Sequence, residues 1–174
     1  MELPDVISVT KDMYRRQSDA TSSTYYPMLG GMSAEQASAY ARRYLENTRI
    51  QRRTDAPFFI DKMPNNYAHV ALIQLMLPNA KIIDARRHPL ACCFSNFKQH
   101  FARGQGFSYD LADMGRYYAD YVRLMAHLDR VQPGKVHRVS YERMVDDTEA
   151  EVRALLDFVG VPFEPACLAF HETE

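Results

Sequence analysis

The chain has 174 residues, a formal net charge of −1, 47% hydrophobic and 25% charged residues. That is enough for a single domain over residues 1–174 with a core of its own, and the balanced charge excludes nucleic-acid binding through bulk electrostatics. No apolar run approaches the ~20 residues that cross a bilayer, and the opening MELPDVISVTKD is too acidic for a signal peptide. Three cysteines without regular spacing fit reduced thiols in a cytoplasmic protein, not a disulfide scaffold or a metal centre.

Residues 1–32 lack a clear period; Val6, Ile7 and Val9 suit a short helix or an extended piece. Ser18–Pro27 reads as a loop, and Gly30-Gly31 as a further break. Ser33 with Gln36 three positions on forms a capping box. It predicts a helix from Ala34 to about Arg49, with Ala37, Tyr40, Ala41, Tyr44 and Leu45 on its apolar side. Pro57–Asp61 reads as a buried strand, Lys62–Asn66 as the loop at its carboxyl end, and Tyr67–Leu77 as a helix. A second strand, Lys81–Ala85, carries β-branched Ile82 and Ile83. Strand, helix and strand in so short a stretch make a βαβ unit, and hence a parallel sheet with a right-handed crossover.

Arg86, Arg87 and His88 follow that second strand, and Pro89 opens a helix predicted to reach Ala102. Proline suits the first helical turn, where its missing N–H has no partner in any case. Asp110 or Asp113 caps a long helix to about Val131, and Pro133-Gly134 turns the chain. Lys135–Ser140 reads as a third strand, Tyr141–Val145 lies at its carboxyl end, and Thr148–Val159 is a helix stopped by Gly160. The expected fold is α/β, a parallel sheet of about three strands flanked by helices.

In open parallel sheets ligands bind beyond the carboxyl ends of the strands. Those ends carry Lys62, Arg87 and Tyr141, with Ser95 on the helix after Arg87. Arginine offers a planar fork to a phosphate and lysine a compact charge. A helix amino terminus adds partial positive charge, so the strand-to-helix joint reads as a phosphate cradle. Arginines paired at the surface are the plainer reading of the same joint. No G-x-x-x-x-G-K-[ST] loop is present.

The segments IDKMPNN (60–66), PNAKIIDARRHPLACCFSNF (78–97) and VSYERMVDDTEAEVRALLDFVGVPFEP (139–165) resemble sulfotransferases that use 3′-phosphoadenosine 5′-phosphosulfate (PAPS). The likeness is greatest to bacterial members that carry tetratricopeptide repeats upstream. It implies that Arg87 and Ser95, eight positions apart, bind the 3′-phosphate of PAPS or of its product adenosine 3′,5′-bisphosphate. It implies that Lys62 stabilises the transferring sulfuryl group and that Tyr141 lies near the adenine. His69, on the helix after Lys62, is a weak candidate for the base that deprotonates a hydroxyl or amine acceptor, and Glu142 a weaker one. No metal is implied.

Ala91 stands where the family often has Asp. Neither the Gly-rich PRSGTT-type loop with its strand nor the segment that closes over the cofactor has a counterpart here. The resemblance therefore implies a family member cut at both ends, with a partial P-loop-type sheet lacking the P-loop strand. An exposed strand edge favours pairing with a second chain, so a homodimer is expected. The alternative is an inactive remnant serving as a dimeric binding module. The acceptor, whether small molecule, peptide or glycan, is not written in the sequence.

Overall fold

The computed structural model describes residues 9–10, 13, 24–52, 54–101 and 105–172. The chain divides into two compact units, residues 1–80 and 81–174.

The first unit is helical. Helix α1 spans Tyr25–Gly30, α2 Ala34–Thr48 and α3 Val70–Met76. The capping box forms as the sequence predicts. Ser33 Oγ accepts the Gln36 N–H at 3.2 Å, and Gln36 Oε1 accepts the Ser33 N–H at 2.8 Å. One stripe of α2, Ala37, Ala41, Tyr44 and Thr48, is buried. Thr48 sends its hydroxyl back to the Tyr44 carbonyl at 2.9 Å, so its polar atom enters the core satisfied. Ala41 and Tyr44 join Val9, Met13, Tyr25, Leu29, Leu72 and Met76 in one apolar cluster.

Three expectations for this unit change. The segment read as a loop over Ser18–Pro27 is helical from Tyr25 onward, while residues 18–23 lie outside the described ones. Tyr25 and Leu29, one turn apart, both reach the core, and that burial overrides the loop-like composition. Pro27 is tolerated because its missing N–H falls in the first turn. The helix expected over Tyr67–Leu77 begins as a 3₁₀ turn, Pro64–His69, and becomes α-helical only at Val70. Pro57–Asp61 is not a strand. Among the described residues it has no ladder partner, and Phe58, Phe59 and Ile60 are 65%, 42% and 92% exposed. An apolar run becomes a strand only when a neighbour takes its backbone bonds.

The second unit holds the sheet. Strands β1 (Ile82–Arg86) and β2 (Val136–Ser140) pair in parallel, from Ile82 opposite Val136 to Arg86 opposite Ser140. Two described strands stand where about three were expected, because Pro57–Asp61 joins no ladder. Between β1 and β2 run α4 (Pro89–Phe97) and α5 (Leu111–Val131); α6 (Tyr141–Asp146) and α7 (Thr148–Val159) follow. Helix α4 ends earlier than predicted, with a tight Gln99 N–H to Asn96 carbonyl bond just beyond it, and residues 102–104 lie outside the described ones. Asp110, not Asp113, caps α5, accepting the Asp113 N–H at 2.8 Å. Asp147 caps α7 likewise through the Ala150 N–H at 3.1 Å, and Gly160 closes α7 at φ +85°, the left-handed turn that glycine adopts without strain.

A buried carboxylate organises one face of this sheet. Asp84, 8% exposed, accepts Arg86 Nε at 2.8 Å, Arg138 Nε at 3.2 Å and the Tyr121 hydroxyl of α5. Arg138 also reaches Asp129 of α5 at 2.9 Å. On β2, His137 stacks against Phe158 of α7 at 5.1 Å. Burial, together with the bond to Asp84, raises the Tyr121 phenol far above its ordinary range. A carboxylate inside a domain is tolerable when several donors satisfy it at once.

Candidate functional site

The sheet register builds the site. Arg86 and Ser140 are the last paired residues of the two strands. The residues that follow, Arg87 and Tyr141, therefore leave the sheet side by side. The Arg87 guanidinium lies 5.1 Å from the centre of the Tyr141 ring, within cation–π range.

His88 then caps α4 and Pro89 is its first residue, but no side chain of the turn itself caps the helix. The acceptor comes from α6. Glu142 Oε1 accepts the His88 backbone N–H at 2.8 Å, and Glu142 Oε2 accepts the Ser140 hydroxyl at 3.2 Å. The His88 amide is the main reason that the Glu142 carboxyl titrates below its usual range.

Beside this turn an open groove of about 1030 Å³ runs between the strand ends and α5. Five arginines line it: Arg86, Arg87, Arg123, Arg138 and Arg143. Four are held by carboxylates. Arg86 and Arg138 share Asp84, Arg123 meets Asp120 at 3.4 Å and Arg143 meets Glu151 at 3.3 Å. Arg87 alone of the five has no carboxylate within ion-pair distance among the described residues. A planar, exposed guanidinium beside an aromatic ring, with no carboxylate on it among the described residues, is suited to a phosphate or sulfate group.

The other expected site residues fall as follows. Ser95 lies on α4, exposed and outside the groove lining. Lys62 and His69 belong to the first unit. Lys62 is exposed on the loop after Asp61. Asp61 accepts the Tyr44 hydroxyl and, at 3.4 Å, the Asn66 side-chain amide, which ties down both ends of that loop. His69 is partly buried, with Nδ1 2.9 Å from the Tyr25 hydroxyl. Thus the structure brings Arg87 and Tyr141 into contact and places Ser95 on the helix that Arg87 leads into.

Two structural roles are not legible in the sequence. Asp84 lies inside an apolar run, and a carboxylate mid-strand signals a buried partner set. Glu142 reads in the sequence as the weaker candidate base, whereas in the structure its carboxylate accepts the His88 amide in the turn of Arg87. Its partner lies 54 residues away, and no local pattern points to it.

Among the described residues no group of three metal-ligating side chains occurs, and no helix is long and apolar enough to cross a membrane. An uncharacterized protein of Aquifex aeolicus (strain VF5) is 35% identical over 124 residues, which are 70% of this chain and 16% of that protein. The chain thus matches only a small part of that relative's length. The profile of the sulfotransferase family matches residues 4–165, nearly the whole sequence. With that match covering nearly the whole sequence, the chain is a member of the sulfotransferase family.

Proposed function

We propose that this chain binds the 3′-phosphate of an adenosine nucleotide through Arg87, as part of a sulfotransferase that uses PAPS and a hydroxyl or amine acceptor. The observation that supports it is the state of Arg87, the single groove arginine without a carboxylate partner among the described residues. A guanidinium already paired with a carboxylate would have to give up that partner before holding a phosphate; among the described residues Arg87 has no carboxylate to give up. The Tyr141 ring behind it restricts where the fork can point and lowers the ordering cost on binding. Ser95, on the helix that Arg87 leads into though outside the groove lining, is the second donor that the family resemblance assigns.

PAPS, when bound, supplies an activated sulfuryl group. The chain's part is to hold the nucleotide, fix its orientation and meet developing charge with fixed positive groups. Lys62, on its tethered loop, is the group assigned to the leaving oxygen, and His69 is the weaker assignment, as base.

Calorimetric titration with adenosine 3′,5′-bisphosphate tests the reading. Wild type is expected to bind, and Arg87→Ala to weaken binding by about tenfold or more, the loss of a charge-assisted contact. Ser95→Ala is expected to weaken it less. Absence of wild-type binding at millimolar nucleotide would overturn the proposal.

A further inference from the structure

We infer that Glu142 is a positioning residue for the 3′-phosphate: it fixes the Arg87-His88-Pro89 turn from outside and so sets where the Arg87 guanidinium stands. The inference rests on the reading of Arg87 just given.

Three observations carry it. First, α4 lacks a cap of its own; its His88 amide is satisfied by Glu142 Oε1 at 2.8 Å. Second, the other oxygen of the same carboxylate takes the Ser140 hydroxyl at 3.2 Å, at the carboxyl end of β2. One side chain therefore clamps the two chain segments that leave the sheet beside each other. Third, Arg87 and Tyr141 are the immediate neighbours of the clamped residues, and their stacking at 5.1 Å depends on both segments keeping their places.

The neighbouring arginine shows why such a clamp matters. Arg86 is fixed directly, by its own bond to Asp84. Arg87 has no such bond to a carboxylate among the described residues, so its position depends on the backbone beneath it and on the Tyr141 ring. A guanidinium that wanders must be ordered at the moment of binding, and that cost is charged against affinity. Glu142 is held in its ionised, accepting form, since the His88 amide lowers its proton affinity.

The test compares two nucleotides on the intact 174-residue chain. Adenosine 3′,5′-bisphosphate presents the 3′-phosphate, and adenosine 5′-monophosphate lacks it. The quantity read is the ratio of their dissociation constants by calorimetry, with thermal unfolding recorded alongside. Glu142→Ala is expected to cut the preference for the bisphosphate about tenfold while leaving monophosphate affinity in place. Glu142→Gln, whose amide oxygen still accepts the His88 N–H and whose NH₂ can face Ser140 Oγ, is expected to keep the preference within about threefold. A merely structural role would weaken both nucleotides alike and leave the ratio unmoved. Should Glu142→Ala fail to fold, Glu142→Asp, which retracts the carboxylate by one methylene, reads the same ratio.

An unchanged ratio in the alanine or aspartate variant overturns the inference, as does a glutamine variant that falls as low as alanine. Wild-type protein that binds both nucleotides alike overturns the 3′-phosphate reading and this inference with it. A wild-type preference that survives Glu142→Ala overturns this inference alone.

Discussion

Helices α2 and α4 begin in opposite ways. The first turn of α2 is closed by its own residues, with Ser33 and Gln36 exchanging two hydrogen bonds. The first turn of α4 borrows its acceptor, Glu142, from another helix. A local cap serves the helix that carries it and adds about 1 kcal/mol to stability. A cap from a distant element also ties two segments together, so its loss is felt as misplacement. Accordingly, a stability measurement should register the first and a binding measurement the second.

The largest expected effect tests the frame beneath both α4 and its anchor. Asp84→Ala leaves the half-buried Arg86 without its carboxylate and Arg138 with Asp129 alone, and removes the acceptor of the Tyr121 hydroxyl, which should cost about 2–4 kcal/mol. Urea unfolding measures it; a loss near zero would show that the network is ornamental to the fold.

Tyr121→Phe removes one of the donors to Asp84 and should cost about 1–2 kcal/mol. It should also change the alkaline limb. Because the folded phenol is raised by burial and by Asp84, its contribution is complete below the unfolded value near ~10. As pH rises above that, the unfolded chain loses its proton first, and the contribution declines until the folded phenol also ionises. Wild type should therefore lose stability above pH ~10 more steeply than Tyr121→Phe. Equal slopes would assign the decline to another group, such as Tyr118, whose phenol is also raised by burial.

The smallest effect sharpens the comparison itself. Ser33→Ala breaks the capping box and should cost about 1 kcal/mol of stability, leaving nucleotide affinity unchanged. A loss of affinity in that variant would mean that the two helix starts are not independent.

The elements that the sequence predicted well are those whose signals are local. Helix α7 runs over Thr148–Val159 as expected, because Asp147 at one end and Gly160 at the other are both read within a few residues. The two strands β1 and β2 were legible through their β-branched residues. Pro57–Asp61 carries the same apolar signature and is not a strand, since composition does not say whether a neighbour is present to pair. Tyr25–Gly30 was hidden for the converse reason: its helix is held by core contacts rather than by propensity.

At the site, the alternation of strand side chains separates the two arginines in principle. Asp84 and Arg86 share a face, so Arg86 is the one consumed and Arg87, beyond the last pair, the one released. Ser140, Tyr141 and Glu142 stand together in sequence, yet their distinct partners, the Glu142 carboxylate, Arg87 and the His88 amide, emerge only after the chain has folded.

The parallel register has a consequence for how the gene can tolerate insertions and deletions. Arg87 and Tyr141 meet because Arg86 pairs with Ser140. Residues added at the Pro133-Gly134 turn, where Gly134 already sits at φ +76°, leave that pair intact. Removing one residue within Val136–Ser140 shifts every later side chain to the opposite face. It would separate Tyr141 from Arg87 and Glu142 from the His88 amide in a single step. The chain should therefore accept length variation in the turn before β2 and reject a one-residue deletion inside the strand.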